Sequence, residues 1–179
     1  MTQLTESQIH TLAKTLNKAL IKFGIKGMMS VYEPTKRVVP ATFVKDAFNA
    51  IGLNIVTTMQ DRKYTLTDWK IMDDVLDVIT DISKEFKWTR EVYDCDNRAG
   101  FVKTMCDLMT GCNNVGTMNA DVFTMDEKLV GRHNLNFVVT SDSSIYLYDV
   151  DFTQRFKMEK GEYVVGDRYK YKIYSARVF

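Results

Sequence analysis

The spacing of apolar residues changes at Gly111, and that change limits what this chain of 179 residues can fold into. Before it, apolar side chains recur at helical intervals; after it they alternate, which is the spacing of half-buried strands. Residues 5–23 place Ile9, Leu12, Leu16, Leu20 and Phe23 on one helical stripe, with Thr5 and Gln8 at capping-box spacing and His10 one step off the stripe. A loop carrying Tyr32, Pro34 and Pro40 leads to a short helix from Ala41 to Ile51, closed by Gly52. Leu53 to Thr58 reads as strand or loop. The strongest helix of the first half is predicted over 67–86: Trp69, Met72, Leu76, Ile79 and Phe86 share a face, while Asp73, Asp77, Asp81 and Lys84 turn to solvent. Another helix runs from Cys95 to about Met109.

Strands are predicted at Val122 to Met125, Leu135 to Thr140, Ser144 to Asp149, Tyr163 to Val165 and Tyr169 to Tyr174, with a hairpin turn at Asp142 to Ser144. Helices first and an antiparallel sheet second define an α+β protein. The expectation is a single domain over 1–179, helical over about 1–112 and β-rich over about 113–179, with the cysteine-bearing helix packed on the sheet.

Composition narrows the function classes. The chain is 45% hydrophobic and 26% charged, as globular domains are. A formal charge of +1 supplies no global field toward nucleic acid or anionic membranes. In RYKYKIYSAR, Arg168, Lys170 and Lys172 alternate with Tyr169, Tyr171 and Ile173, so the two sets lie on opposite faces of a strand. This predicts a half-buried strand with a lysine-rich edge, and nucleic-acid binding is not expected. No apolar run approaches the roughly 20 residues that span a bilayer. MTQLTESQIH lacks the pattern of a secretory signal. The three cysteines follow no CxxC spacing, which points to a reducing compartment: host-cell cytoplasm or a virion.

The chemistry concentrates in REVYDCDNRAGF, Arg90 to Phe101. Cys95, Ala99, Val102, Cys106 and Met109 fall on one helical face. Cys106 on that face reads as core. Cys95 stands at the first turn, where unpaired amides and the helix dipole favour a thiolate. Asp94 and Asp96 oppose it as like charges, or cap the helix. Cys95, Cys106, Cys112 and His133 match no common zinc spacing, and the EF-hand pattern fails at Arg98 and Ala99. Taken alone, the segment reads as packing.

A second segment changes the weighing. GRHNLNFVVTSDSSIYLYDVD, Gly131 to Asp151, is a β-hairpin in which His133, Leu135, Phe137 and Val139 share a face and Ile145, Leu147 and Asp149 alternate opposite them. Pairing about the turn near Asp142 brings His133 beside Asp149 to Phe152, so Asp149 or Asp151 reaches the imidazole. A helix-start cysteine, a strand histidine and an acid on the next strand follow the chain order of papain-like cysteine hydrolases.

YDCDNRAGF, GRHNLNFVV and IYLYDVD together resemble the C-terminal protease domains of the Marasmius oreades agglutinin type, with their phage and bacterial relatives. That pattern is Y-D-C-D-[DN]-x-A, then a G-H-A-x-N-like strand, then a strand ending in an acid. Cys95 matches the family nucleophile and His133 its histidine. Asp149 stands where the family has glutamate, Val150 where proline is common, and Arg132 splits the usual G-H pair. The resemblance covers about residues 88–152, with no lectin domain attached.

The resemblance implies a papain-like fold, and it implies calcium, with Asp94 and Asp96 as first candidates for ligands; the residues by themselves demand no cofactor. The expected function is a papain-like cysteine hydrolase, a peptidase, of phage origin, acting on a peptide or other acyl substrate. Cys95 is its nucleophile, His133 its base and acid, and Asp149 its orienting acid, with Asp151 as the alternative. Thr89 occupies the place of the papain-type glutamine and, with Gln60, is a candidate oxyanion donor; Trp88 reads as packing. The alternative is an inactive papain-like scaffold serving as a virion component, an inhibitor or a host-protein-binding module.

Overall fold

The computed structural model describes residues 36–53, 56–86, 89, 94–161 and 163–178. The expected helix over 5–23 and the Tyr32–Pro34 loop lie outside them. By its contacts the chain divides into two units, Met1–Glu33 and Pro34–Phe179, and the description concerns the second.

The first element is a strand, β1 (Arg37–Pro40), where a loop is expected. It pairs antiparallel with β3 (Lys63–Leu66), from Arg37 opposite Leu66 to Pro40 opposite Lys63. Proline fits there because its missing N–H falls at the end of the ladder, and it launches the helix α1 (Ala41–Ala50) directly. Gly52, at φ 80°, takes the left-handed turn after α1 that a side chain would resist. Next comes the short strand β2 (Val56–Met59).

The helix α2 (Trp69–Lys84) buries Met72, Val75, Leu76 and Ile79. Each such side chain withdrawn from water contributes about 1.5–3 kcal/mol. Phe86, expected on that face, lies past the helix end and is exposed. The acidic face is more than a solvated one: Arg155 reaches Asp73 at 2.7 Å and also pairs with Asp77.

The helix α3 (Cys95–Thr110) buries Ala99, Val102, Cys106 and Met109, the face expected of it, and stops at Gly111 with φ 62°. There follow β4 (Val115–Thr124), β5 (Leu129–Val139), β6 (Ile145–Asp149), β7 (Gln154–Lys157), β8 (Val164–Val165) and β9 (Tyr169–Val178). Among the described residues they form, with β2, a sheet ordered β2-β9-β4-β5-β6-β7, with β8 also on β9. Its pairs are antiparallel except β2 with β9. The α+β class stands. The lysine-rich strand, however, is not an edge: on the side of β9 away from β4, β8 pairs with Lys170 and Tyr171 and β2 adds in parallel at Ala176 to Val178.

The sheet is covered on both faces. Met118, Leu135, Phe137 and Leu147 share one core with Phe48 of α1 and with Tyr64 and Leu66 of β3, the Phe48 ring meeting Phe137 edge-on at 4.9 Å. On the other face Asn136 donates to Ala99 O of α3 at 2.9 Å, and Tyr148 shares a 2.6 Å hydrogen bond with Thr80 of α2. Trp69 stacks on Tyr146 at 3.8 Å. Tyr146 and Tyr148 are thus covered by α2.

Candidate functional site

Capping sets the thiol. Asp94 and Asn97 form a reciprocal capping box, with the Asp94 amide donating to Asn97 Oδ1 at 3.4 Å. Asp94 therefore serves the helix start. Cys95 is the first helical residue, half-buried, and its thiol points toward Asp96 Oδ1 at 4.0 Å. Cys106 and Cys112 are buried, and burial pushes both thiols upward in pKa, which makes them inert core.

The histidine sits where β5 loses a neighbour. The β5–β6 ladder ends with Asn136 opposite Tyr148. Pairing therefore stops short of His133, and the contact expected from register is made by side chains across a gap. His133 Nε2 donates to Asp149 Oδ1 at 3.0 Å. That oxygen also accepts the amides of Asp151 at 3.0 Å and Phe152 at 3.2 Å, in the turn after β6, while Tyr171 donates to Asp149 Oδ2 at 3.1 Å. A carboxylate only 1% exposed is thereby supplied with donors on both oxygens, as a buried charge must be.

Burial works against a charge on the His133 ring. Hydrogen bonds to Asp149 and Cys95, with the charges of Asp149 and Asp151, outweigh it, and the ring's pKa is pushed up to about 10. Since Nε2 is committed to Asp149, Nδ1 is the ring nitrogen left for the thiol. Asp151 stands farther off, with Oδ2 at 3.7 Å from Nε2, and is paired with Arg98 of α3. Arg98 also donates to Phe86 O at 2.9 Å, tying the start of α3 to the end of α2.

Clefts open on two sides of Cys95 and His133. One, of about 390 Å³, adds Arg98, Asp151 and Phe152. The other, of about 320 Å³, is lined by Asp96, Asn119, Arg132, Asn134, Tyr174 and Arg177. Neither Thr89 nor Gln60 lines either one. Among the described residues, the group of side chains close enough together to hold a metal ion is His133, Asp149 and Asp151, whose candidate ligand atoms lie within 4.8 Å of one another; Asp94 and Asp96 are outside it.

Sequence reasoning passed over Asn119, Asn134, Tyr174, Arg177, Arg98 and Tyr171. Arg98 and Tyr171 lie inside segments read as helix and strand, with no local mark of their role. Asn119 had a signal: it is a polar residue between Met118 and Ala120 in the alternation Met118, Ala120, Val122, which places it on the opposite face.

No family model matches the chain, and no curated protein does. Solved structures do. One is a PSL1a–E64 complex, with TM-score 0.51 and 16% identity over 78% of this chain and 51% of that one. Another is Polyporus squamosus lectin bound to the human-type influenza-binding epitope Neu5Acα2-6Galβ1-4GlcNAc, with TM-score 0.50 and 16% identity over 78% of this chain and 49% of that one. At this identity the likeness shows the fold alone, and the chain spans about half the length of each.

These neighbours are lectin structures, one of them bound to a glycan epitope. On that finding the expectation of a papain-like cysteine peptidase of phage origin, with its inactive-scaffold alternative, is corrected. A thiol, an imidazole and an acid in the right order prescribe a way of handling a proton, and such a group is grafted on folds of many functions. Acyl transfer also needs oxyanion donors, and the two residues nominated for that role are not at the clefts. Among the described residues, no helix is long and apolar enough to cross a membrane. The chain's fold is one it shares, distantly, with part of this lectin's structure.

Proposed function

We propose that Cys95, His133 and Asp149 form an activated-thiol centre open to ligands from the adjoining clefts. The observation that carries this reading is the imidazole fastened to Asp149 at 3.0 Å and lining both adjoining clefts together with Cys95. Asp149 fixes the ring's orientation, the ring keeps its proton at neutral pH, and the charged ring is the counter-ion a thiolate needs. Cys95 is the half-exposed cysteine of the three, so an electrophile meets this thiol first.

The test is alkylation by iodoacetamide at neutral pH, followed by peptide mass spectrometry. In that reaction the sulfur–carbon bond forms as iodide leaves with the bonding pair, and the proton stays on His133. Cys95 should label at least about tenfold faster than in His133→Ala, an effect within the range of a positioned acid–base group. Equal rates in the two proteins would end the proposal.

A second reading is favoured by the lining of the smaller cleft and by the lectin likeness. Asn134 donates to Asn119 at 2.8 Å and Asn119 to Ser175 at 2.8 Å, an amide–hydroxyl row across three strands beside Tyr174. Fixed polar groups beside an aromatic ring suit a saccharide. Under this reading the cleft holds a glycan, and calorimetric titration with Neu5Acα2-6Galβ1-4GlcNAc should give heat that Asn119→Ala abolishes.

A further inference from the structure

The charges around the thiol are unevenly matched. Asp149 is paired with His133 and Asp151 with Arg98. Two arginines remain at the smaller cleft, Arg132 on β5 and Arg177 on β9, facing one carboxylate there, Asp96. Arg132 has only a loose pairing, 3.7 Å to Asp121, with its side chain 84% exposed. Among the described residues, Arg177 has no carboxylate partner.

Register shows how the two are arranged. Asn119 lies opposite Asn134 and Ser175, Arg132 opposite Asp121, and Arg177 opposite Thr117. Cross-strand partners share a face, so both arginines stand on the Asn119 face, the one α3 covers through Asn136. They lie two strands and four residues apart, which at sheet spacing is about 16 Å between Cα atoms. The guanidinium groups therefore flank a ligand seated over Asn119 from two sides. With the protonated His133 they give the cleft a positive field that Asp96, at the helix end, only partly offsets.

We infer that this cleft selects ligands bearing a carboxylate, with Arg177 and Arg132 as the specificity-determining residues; this rests on the activated-thiol reading. The guanidinium fork matches a carboxylate in two parallel hydrogen bonds, which an ammonium does not.

The experiment compares two alkylating reagents that share one reactive carbon and differ in charge: iodoacetate, an anion, and iodoacetamide, which is neutral. The rate ratio, iodoacetate over iodoacetamide, is measured at Cys95 and normalised to glutathione in the same buffer. The normalised ratio should be about tenfold or more, shrink with added salt as exposed charges are screened, fall to about one in Arg132→Gln/Arg177→Gln, and return in part in Arg177→Lys. A ratio of one in the unaltered protein, or a ratio the double variant leaves unchanged, overturns the inference while His133-dependent labelling keeps the thiol reading intact. If neither reagent labels Cys95 in a His133-dependent way, the thiol reading fails and the inference falls with it.

Discussion

Asp149 is 1% exposed and takes hydrogen bonds from a histidine, a tyrosine and two backbone amides, drawn from two other strands and a turn. Cys95, which lines the same clefts as His133, is half-exposed on the first turn of a helix whose end is set by Asp94 and Asn97. The acid end is thus held by tertiary structure, and the thiol end chiefly by local capping and by Arg98. On the proposed reading, a site built this way keeps its imidazole–carboxylate geometry fixed and leaves the thiol open to ligands. The contrast also separates stability from reactivity, since the two ends respond differently to substitution.

The largest effect is expected at the acid end. Asp149→Ala leaves the His133 ring, the Tyr171 hydroxyl and two amides without their acceptor, and breaking a buried charged pair of this kind costs about 3–5 kcal/mol. Urea unfolding measures it. A loss below about 1 kcal/mol would show that the acid end is not the rigid half.

The next effect appears with pH. The folded-state pKa of His133 is about 10 against an ordinary value of 6.5, so the protonated ring is favoured by folding. Its contribution is complete below about pH 6.5, declines as pH rises, and is gone above about pH 10. The urea midpoint should fall across that window in the unaltered protein and change less in His133→Gln. Parallel slopes in the two proteins would remove His133 as the source.

The smallest effect belongs to the thiol end. Asp94→Ala removes a helix cap at a cost of about 1 kcal/mol. Labelling of Cys95 should slow more than that loss implies, because the helix start positions the thiol. An Asp94→Ala protein as destabilised as Asp149→Ala would erase the contrast between the two ends.

Legibility follows the same division. His133 and Asp149 were readable because both lie on one hairpin, whose turn at Asp142 to Ser144 places them by local register. The capped helix start at Cys95 was readable from Asp94 and the helical face that follows. Tyr171 and Arg177 were not, since they reach the site through the pairing of β9 with β4, about fifty residues away in the chain. The reading of β9 as an edge failed for the same reason: nothing in RYKYKIYSAR announces that β2 will pair with its outer side. Strands β1, β3 and β7 were missed because four residues carry too little alternation to stand out from a loop.

The sequence by itself determined the division into helices and sheet, the buried face of α3 and the closeness of His133 to Asp149. Each depends on periodicity or a short turn, and such spacing is written within a few residues. Only the tertiary structure decided that Asp149 rather than Asp151 makes the 3.0 Å contact, that Arg98 occupies Asp151, and that two arginines flank the cleft. Those outcomes depend on where the β5–β6 ladder stops and on which strands flank β4. Ladder ends and strand neighbours are set by packing across the whole sheet, and no local window of the chain contains them.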